Sequence, residues 1–127
     1  MANTTTHNYS GNLTLTAADP SIFDSGNPLV VEPGAAAGEV IVCATPGNQI
    51  GVFQEKLQSG PGDNGQVNIR LLNAGGTVRV KAGEAISYGD DVSVEAGGTV
   101  VSGAAAKIGV YLGPDAADGD IIEIVTT

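Results

Sequence analysis

The chain has 127 residues, 42% of them hydrophobic, which is enough for one domain or for two small halves sharing a core. Its formal charge of −9, from five Lys and Arg against 14 Asp and Glu, excludes a basic face for nucleic acid and argues against an anionic membrane surface. One Cys and one His rule out an internal disulfide and leave too few ligands for a zinc site, while 19 Gly and 6 Pro cut the apolar residues into the short runs of an all-β chain.

The opening "MANTTTHNYSGN" has neither a positive start nor an apolar stretch, so no secretory signal is expected there, and no run of the chain is long enough to cross a membrane. Synthesis in a cytoplasm is the expectation. Residues 1–28 differ from the rest in being rich in Thr, Asn, Ser and Ala. In "NLTLTA" (12–17), Leu13 and Leu15 alternate with Thr, a pattern for one strand. "DPSIFDSGNP" (19–28) follows as an irregular loop broken by two prolines. The segment 1–28 is therefore expected to be an extended N-terminal arm, with Leu13, Leu15, Ile22 and Phe23 as its apolar anchors.

From residue 29 onward the pattern is a string of short strands. "LVVE" (29–32), "EVIVCA" (39–44), "IGVFQEKL" (50–57), "VNIRLL" (67–72) and "TVRVKA" (77–82) are separated by turns rich in Gly, Pro and Asn. "EAISYGDDVSVEAGGTVV" (84–101) holds two or three strands, and "KIGVYLG" (107–113) and "IIEIVTT" (121–127) close the chain. No stretch keeps a helical apolar period with caps at both ends. "IGVFQ" (50–54) matches "IGVYL" (108–112), and "GQVNIRL" (65–71) matches "GDIIEIV" (119–125). Residues 29–127 are thus expected to form a small β-barrel-like domain, built from pseudo-repeats 29–72 and 77–125, whose closure removes exposed strand edges.

Several stretches invite a chemical reading. "YGDD" (88–91) is how the metal-binding hairpin of many viral polymerases reads, but such a site needs a third carboxylate and basic surfaces for a template. As a turn, Gly89 supplies positive φ and Asp90 caps its own backbone, with strand alternation resuming at Val92 and Val94. Asp115, Asp118 and Asp120 in "GPDAADGD" lack the spacing of a calcium loop, and "GPGDNG" (60–65) lacks the Lys and helix start of a phosphate loop. Cys43, in "VIVCA", reads as a buried small hydrophobe, and His7 stands in the polar N-terminal stretch, away from any nucleophile. With no Trp to line a sugar site, paired carboxylates for glycoside chemistry find no support. Catalytic, cofactor-binding and metal-binding residues are all expected to be absent.

Residues 80–127 carry a resemblance. Val80, Ala82-Gly83, Ile86, Gly89-Asp90, Val92, Gly98, Val100, Ala106, Ile108-Gly109-Val110, Gly119-Asp120, Ile122 and Ile124 follow a pattern similar to that of the capsid decoration, or cement, proteins of tailed bacteriophages. The resemblance covers 48 residues and rests mostly on Gly and β-branched positions. It implies a β-tulip-type domain on the outer capsid surface of a virion. There it would bind the major capsid protein, commonly as a homotrimer, and stabilise the head, with no nucleic acid, membrane or cofactor involved. It also implies that the N-terminal arm makes the capsid contact. The rival from another class is a carbohydrate- or receptor-binding β module, which would present exposed aromatics; Tyr9, Tyr88 and Tyr111 are the candidates.

Overall fold

The computed structural model describes residues 11–58 and 60–127. The described residues form strands β1 (Asn12–Ala17), β2 (Val30–Pro33), β3 (Glu39–Val42), β4 (Gly51–Lys56), β5 (Gln66–Leu71), β6 (Thr77–Lys81), β7 (Asp91–Val94), β8 (Val100–Ser102), β9 (Lys107–Tyr111) and β10 (Ile121–Thr126). Short 3-10 turns lie at Pro20–Phe23, Gly60–Gly62 and Leu72–Ala74. The expected all-β class is what the chain adopts. The first five strands close a barrel in the order β1-β3-β2-β4-β5, and the second five form a sheet in the order β6-β10-β9-β7-β8.

The strand in "NLTLTA" closes the first barrel. β1 pairs antiparallel with β5 from Asn12↔Arg70 to Thr16↔Gln66, and parallel with β3 at Thr16↔Glu39 and Ala17↔Val40. Without it, β3 and β5 would each present a free edge. Phe23 is also inside, 2% exposed and stacked on Phe53 at 4.4 Å between ring centroids. Residues 11–28 of the expected arm are therefore built into the fold, and residues 1–10 lie outside the described residues.

Two strands of the barrel are buried on both sides. Val31 of β2 and Phe53 of β4 point into the barrel core, with Val40, Val67 and Ile69. Their neighbours Val30 and Val52, which pair across the two strands, join a second core with Val80, Ile86, Val92 and Ile124. This explains why "LVV" and "GVF" are continuous apolar runs, whereas "TVRVK" alternates. Backbone bonds fix the junction: Val30 N–H donates to the Gly98 carbonyl and Gly97 N–H to the Cys43 carbonyl, both at 2.8 Å.

The second sheet contains an internal two-fold that sequence comparison of the halves does not reveal. Residues 83–94 and 113–124 share Gly83/Gly113, Ile86/Ala116, Gly89/Gly119, Asp90/Asp120, Val92/Ile122 and Val94/Ile124. Ile86 and Ala116 face each other in an antiparallel bridge, exchanging hydrogen bonds of 3.1 and 2.8 Å. Each copy pairs with the strand that leads into the other: β7 with β9, and β10 with β6. Both copies turn the same way. Asp90 N–H donates to the Ser87 carbonyl and Asp120 N–H to the Ala117 carbonyl, each at 3.1 Å, with Gly89 at φ +85° and Gly119 at φ +90°. That is a type II turn, which needs φ > 0 at its third residue. Ser87 N–H and Ala117 N–H in turn donate to the Asp90 and Asp120 carboxylates, both at 2.9 Å.

The junction makes a quantitative expectation. Gly97 and Gly98 both have positive φ, so replacing either by Ala costs about 1–2 kcal/mol in backbone strain. A Cβ at Gly97 meets nothing within 4 Å, but one at Gly98 would lie 2.9 Å from the Val30 carbonyl oxygen and from Val42 Cγ1. In urea denaturation Gly98→Ala is expected to be the more destabilising of the pair, and equal losses would show that the junction yields freely.

Candidate functional site

Of the acidic residues singled out in the sequence, Asp63, Asp90, Asp91 and Asp120 are held by nearby backbone, a hydroxyl or a lysine, while Asp115 and Asp118 are exposed. The two carboxylates of "YGDD" diverge. Asp90 accepts from Ser87 N–H and, at 3.1 Å, from the Ser102 hydroxyl, while Asp91 pairs with Lys107 at 3.0 Å. Asp63 accepts from Gly65 N–H at 2.8 Å and pairs with Lys56, which also holds Asp24. These bonds keep the Lys56 ammonium above, and the Asp63 carboxyl below, their ordinary values. Among the described residues no group of three or more His, Cys, Asp and Glu stands close enough to hold a metal ion.

Glu32, one of two buried polar residues with Ser93 among the described residues, lies beside the buried Cys43. Glu32 is 7% exposed, and its carboxylate accepts N–H bonds from Ala44 and, at 2.8 Å, from Thr45. The two backbone donors, Thr45 foremost, hold its carboxyl below the ordinary value of 4.5 despite burial. Burial and the neighbouring Glu32 charge push the Cys43 thiol up to about 11. A thiol so rarely ionised makes a poor nucleophile. The pair clamps the loop after β3.

The four apolar residues expected to meet a partner do not form one patch. Leu13 and Leu15 lie opposite Ile69 and Val67, so both point to the barrel's inner side. Leu15 packs against the core, while Leu13, near the mouth, is 41% exposed. Ile22 lies beyond the other end of β1 and is 42% exposed. From Leu13 to the far end of β1 at Ala17 is about 13 Å of strand, and Ile22 comes after that end. Phe23 is enclosed by the core and out of a partner's reach. Leu57, at the end of β4, is exposed at the Ile22 end, which Lys56 ties together through Asp24 and Asp63.

Sequence reading did not single out the outer face of the second sheet. Ile121 and Val125 of β10 and Leu112 after β9 are exposed there. The signal was available: "IIEIV" has apolar residues on both faces of a strand that pairs with alternating "TVRVK". Of the three tyrosines, Tyr88 is 70% exposed, Tyr111 is buried with its hydroxyl donating to the Pro114 carbonyl at 2.6 Å, and Tyr9 lies outside the described residues. Phe23 and Phe53 are buried too, so no row of exposed rings exists among the described residues.

The fold resembles the base of a phage head fibre. The match is to the head fiber gp8.5 N base in bacteriophage phi29, with a TM-score of 0.58 over 91% of this chain and 92% of that one, at 18% sequence identity. At that identity the likeness shows the fold. No protein-family model matches the chain, and no curated protein matches it.

The clamp on Glu32 sets an acid limb. Because its carboxyl is held below 4.5 in the folded protein, the stability it contributes is full above that pH and is lost as pH falls through the lower, folded value. Glu32→Gln, which keeps one acceptor but no charge, is expected to cost about 1–2 kcal/mol at neutral pH. It should also flatten the decline of stability below pH 4.5, followed by urea midpoints across pH; an unchanged acid limb would place that dependence in other carboxylates.

Proposed function

We propose that this chain is a structural protein of a tailed-phage head, seated on the outer capsid surface, where it binds the major capsid protein and stabilises its contacts as a decoration protein. The observation that carries the reading is the fold match to a phage head fibre base over nearly the whole of both chains. The motif resemblance of residues 80–127 to decoration proteins points the same way from the sequence. The acids support it by what they do: Asp90 and Asp120 cap turns, Glu32 clamps a loop, and Asp24, Asp63 and Asp91 pair with lysines. A clip on a shell needs no reacting group. It needs many weak contacts repeated by symmetry, and a homotrimer on a threefold position would supply them by avidity. A charge of −9 keeps such an abundant protein soluble.

The contact is assigned to the end of the first barrel that presents Ile22, with Leu13 as a second anchor at the other end; residues 1–10 of the expected arm lie outside the described residues. A second reading follows from the phi29 protein being the base of a head fiber: a foot on the head. The two readings differ in what the head gains. A cement raises the temperature or osmotic shock that empty expanded heads survive, and a foot leaves that resistance unchanged.

Incubation with expanded heads, followed by sedimentation, tests both. The wild-type protein is expected to co-sediment and to raise the disruption temperature of the heads. Ile22→Asp, at an exposed position, is expected to fold with an unchanged melting temperature and to lose binding at least about tenfold, the cost of burying an unpaired charge. Light scattering should give a trimer on the head or in solution. Failure of the wild-type protein to bind heads would overturn the proposal.

A further inference from the structure

The most labile peptide unit of this chain is held shut by the fold. Asn64-Gly65 is the only Asn-Gly pair in the sequence. Asparagine is a thermolabile residue. The backbone nitrogen of the next residue can attack its side-chain carbonyl, and a glycine there has no side chain to obstruct the ring that forms. Asn64 is exposed, on the turn that leads into β5, so water reaches it.

Hydrogen bonds fix every group that would react. Gly65 N–H, the nucleophile, donates to Asp63 Oδ1 at 2.8 Å. The Asn64 side-chain carbonyl accepts from Gln66 N–H at 3.2 Å, and its amide donates to Gln66 Oε1 at 3.4 Å. The Gly65 carbonyl accepts from Ala17 N–H at 2.8 Å, which ties the turn to the end of β1. Gly65 is itself buried, at φ +81°, and a Cβ there would lie 3.4 Å from Pro20 Cγ. An ion pair backs the bond on Gly65 N–H: Lys56, its side chain 10% exposed, holds Asp63 as well as Asp24. Ring closure is incompatible with this arrangement. It removes the proton from Gly65 N, so the bond to Asp63 cannot survive, and it draws Asn64 Cγ onto Gly65 N.

We propose that Asn64 is a site of spontaneous deamidation gated by the chain of bonds from Lys56 through Asp63 to Gly65, so that it reacts only when this turn opens locally. Gly65 N bonds to Asn64 Cγ and gives up its proton. The side-chain nitrogen leaves with that proton as ammonia, and a cyclic imide remains. Water then opens the imide at either carbonyl, leaving an aspartyl or an isoaspartyl residue at position 64. Both products add one negative charge beside Asp63. The isoaspartyl form also routes the main chain through the β carbon, in the turn that must deliver Gly65 to Ala17 and Asp63 to Lys56. Modification therefore loosens the end of the first barrel that presents Ile22, where Lys56 also holds Asp24. The proposal does not depend on the head-surface reading, since every measurement is made on the free protein.

The full-length protein is aged at neutral pH in native buffer and, in parallel, in enough urea to unfold it. Conversion is read from the mass gained when the amide becomes an acid, localised in a peptide map, and from isoaspartyl-specific methyl transfer to the same peptide. Mass separates the site from Asp118-Gly119, where the same imide chemistry leaves the mass unchanged. Asn64 is expected to convert at least about tenfold more slowly in the folded protein than in urea. Lys56→Met keeps the buried stem but drops the charge that holds Asp63; it should raise the folded rate at least about threefold and leave the rate in urea unchanged. Asp63→Ala, which frees Gly65 N–H directly, should do the same and replaces Lys56→Met if that variant does not fold. Gly97→Ala, which weakens the distant junction with the second sheet, should leave Asn64 protected. Equal rates in native buffer and urea would overturn the proposal. So would a folded rate unmoved by Lys56→Met and Asp63→Ala, or one raised as much by Gly97→Ala, which would place the opening in global unfolding.

Discussion

Everything in this molecule hangs on a wall used twice. β2 and β4 line the first barrel with Val31 and Phe53, and the same two strands turn Val30 and Val52 into the core of the second sheet. A five-stranded open sheet with one face in water is a marginal object, because its inner face needs a cover. Here the outer side of a neighbouring barrel is that cover. Fully burying a Val is worth about 1.5–3 kcal/mol, so the doubly buried strands contribute to two cores at once. The Gly97–Gly98 turn seals the contact with backbone hydrogen bonds, and the missing side chain at Gly98 lets the two units approach closely.

Behind that wall the second sheet assembles from two copies of one device. A strand enters, a buried Ile or Ala bridges to its counterpart, a glycine turns the chain, an aspartate caps the turn, and a strand leaves. Ala36-Ala37-Gly38-Glu39 in the first barrel uses the same turn: Glu39 N–H donates to the Ala36 carbonyl at 3.2 Å, and Gly38 has φ +75°. Asp63, Asp90 and Asp120, which looked like chemistry in the sequence, are thus the means by which glycine-rich turns hold their shape. A carboxylate accepting a backbone N–H two or three residues away is oriented towards its own turn and away from any substrate.

Nearly every strand was legible because strands announce themselves by alternation or by short apolar runs between Gly and Pro. "TVRVK" and "VNIRL" alternate, and both became strands within a residue of the reading. The status of residues 11–28 was not legible. Leu13 and Leu15 showed that β1 was a strand, but nothing local tells whether a strand hangs free or closes a barrel; that depends on β3 and β5, far along the chain. Phe23 is the sharper case. Its neighbours Ser21, Asp24 and Ser25 are polar, so local context placed it outside, whereas its partner is Phe53, thirty positions on. The two-fold inside residues 83–124 was in principle visible as Gly-x-x-(Ile/Ala)-x-x-Gly-Asp-x-(Val/Ile), but comparing the two halves in sequence order looked across it.

The burial of Phe23 changes how a contact by this segment has to work. A free arm pays for ordering each rotamer-rich side chain when it docks. Ile22 incurs little of that cost. It stands on a 3-10 turn whose next residue is stacked in the core, and Asp24, one step further, is held by Lys56. The turn is pre-organised, so an apolar pocket on a partner meets a side chain already in place. On the proposed contact, such a surface would dock as a rigid knob, with an affinity set by the shape of residue 22 more than by the length of chain before it.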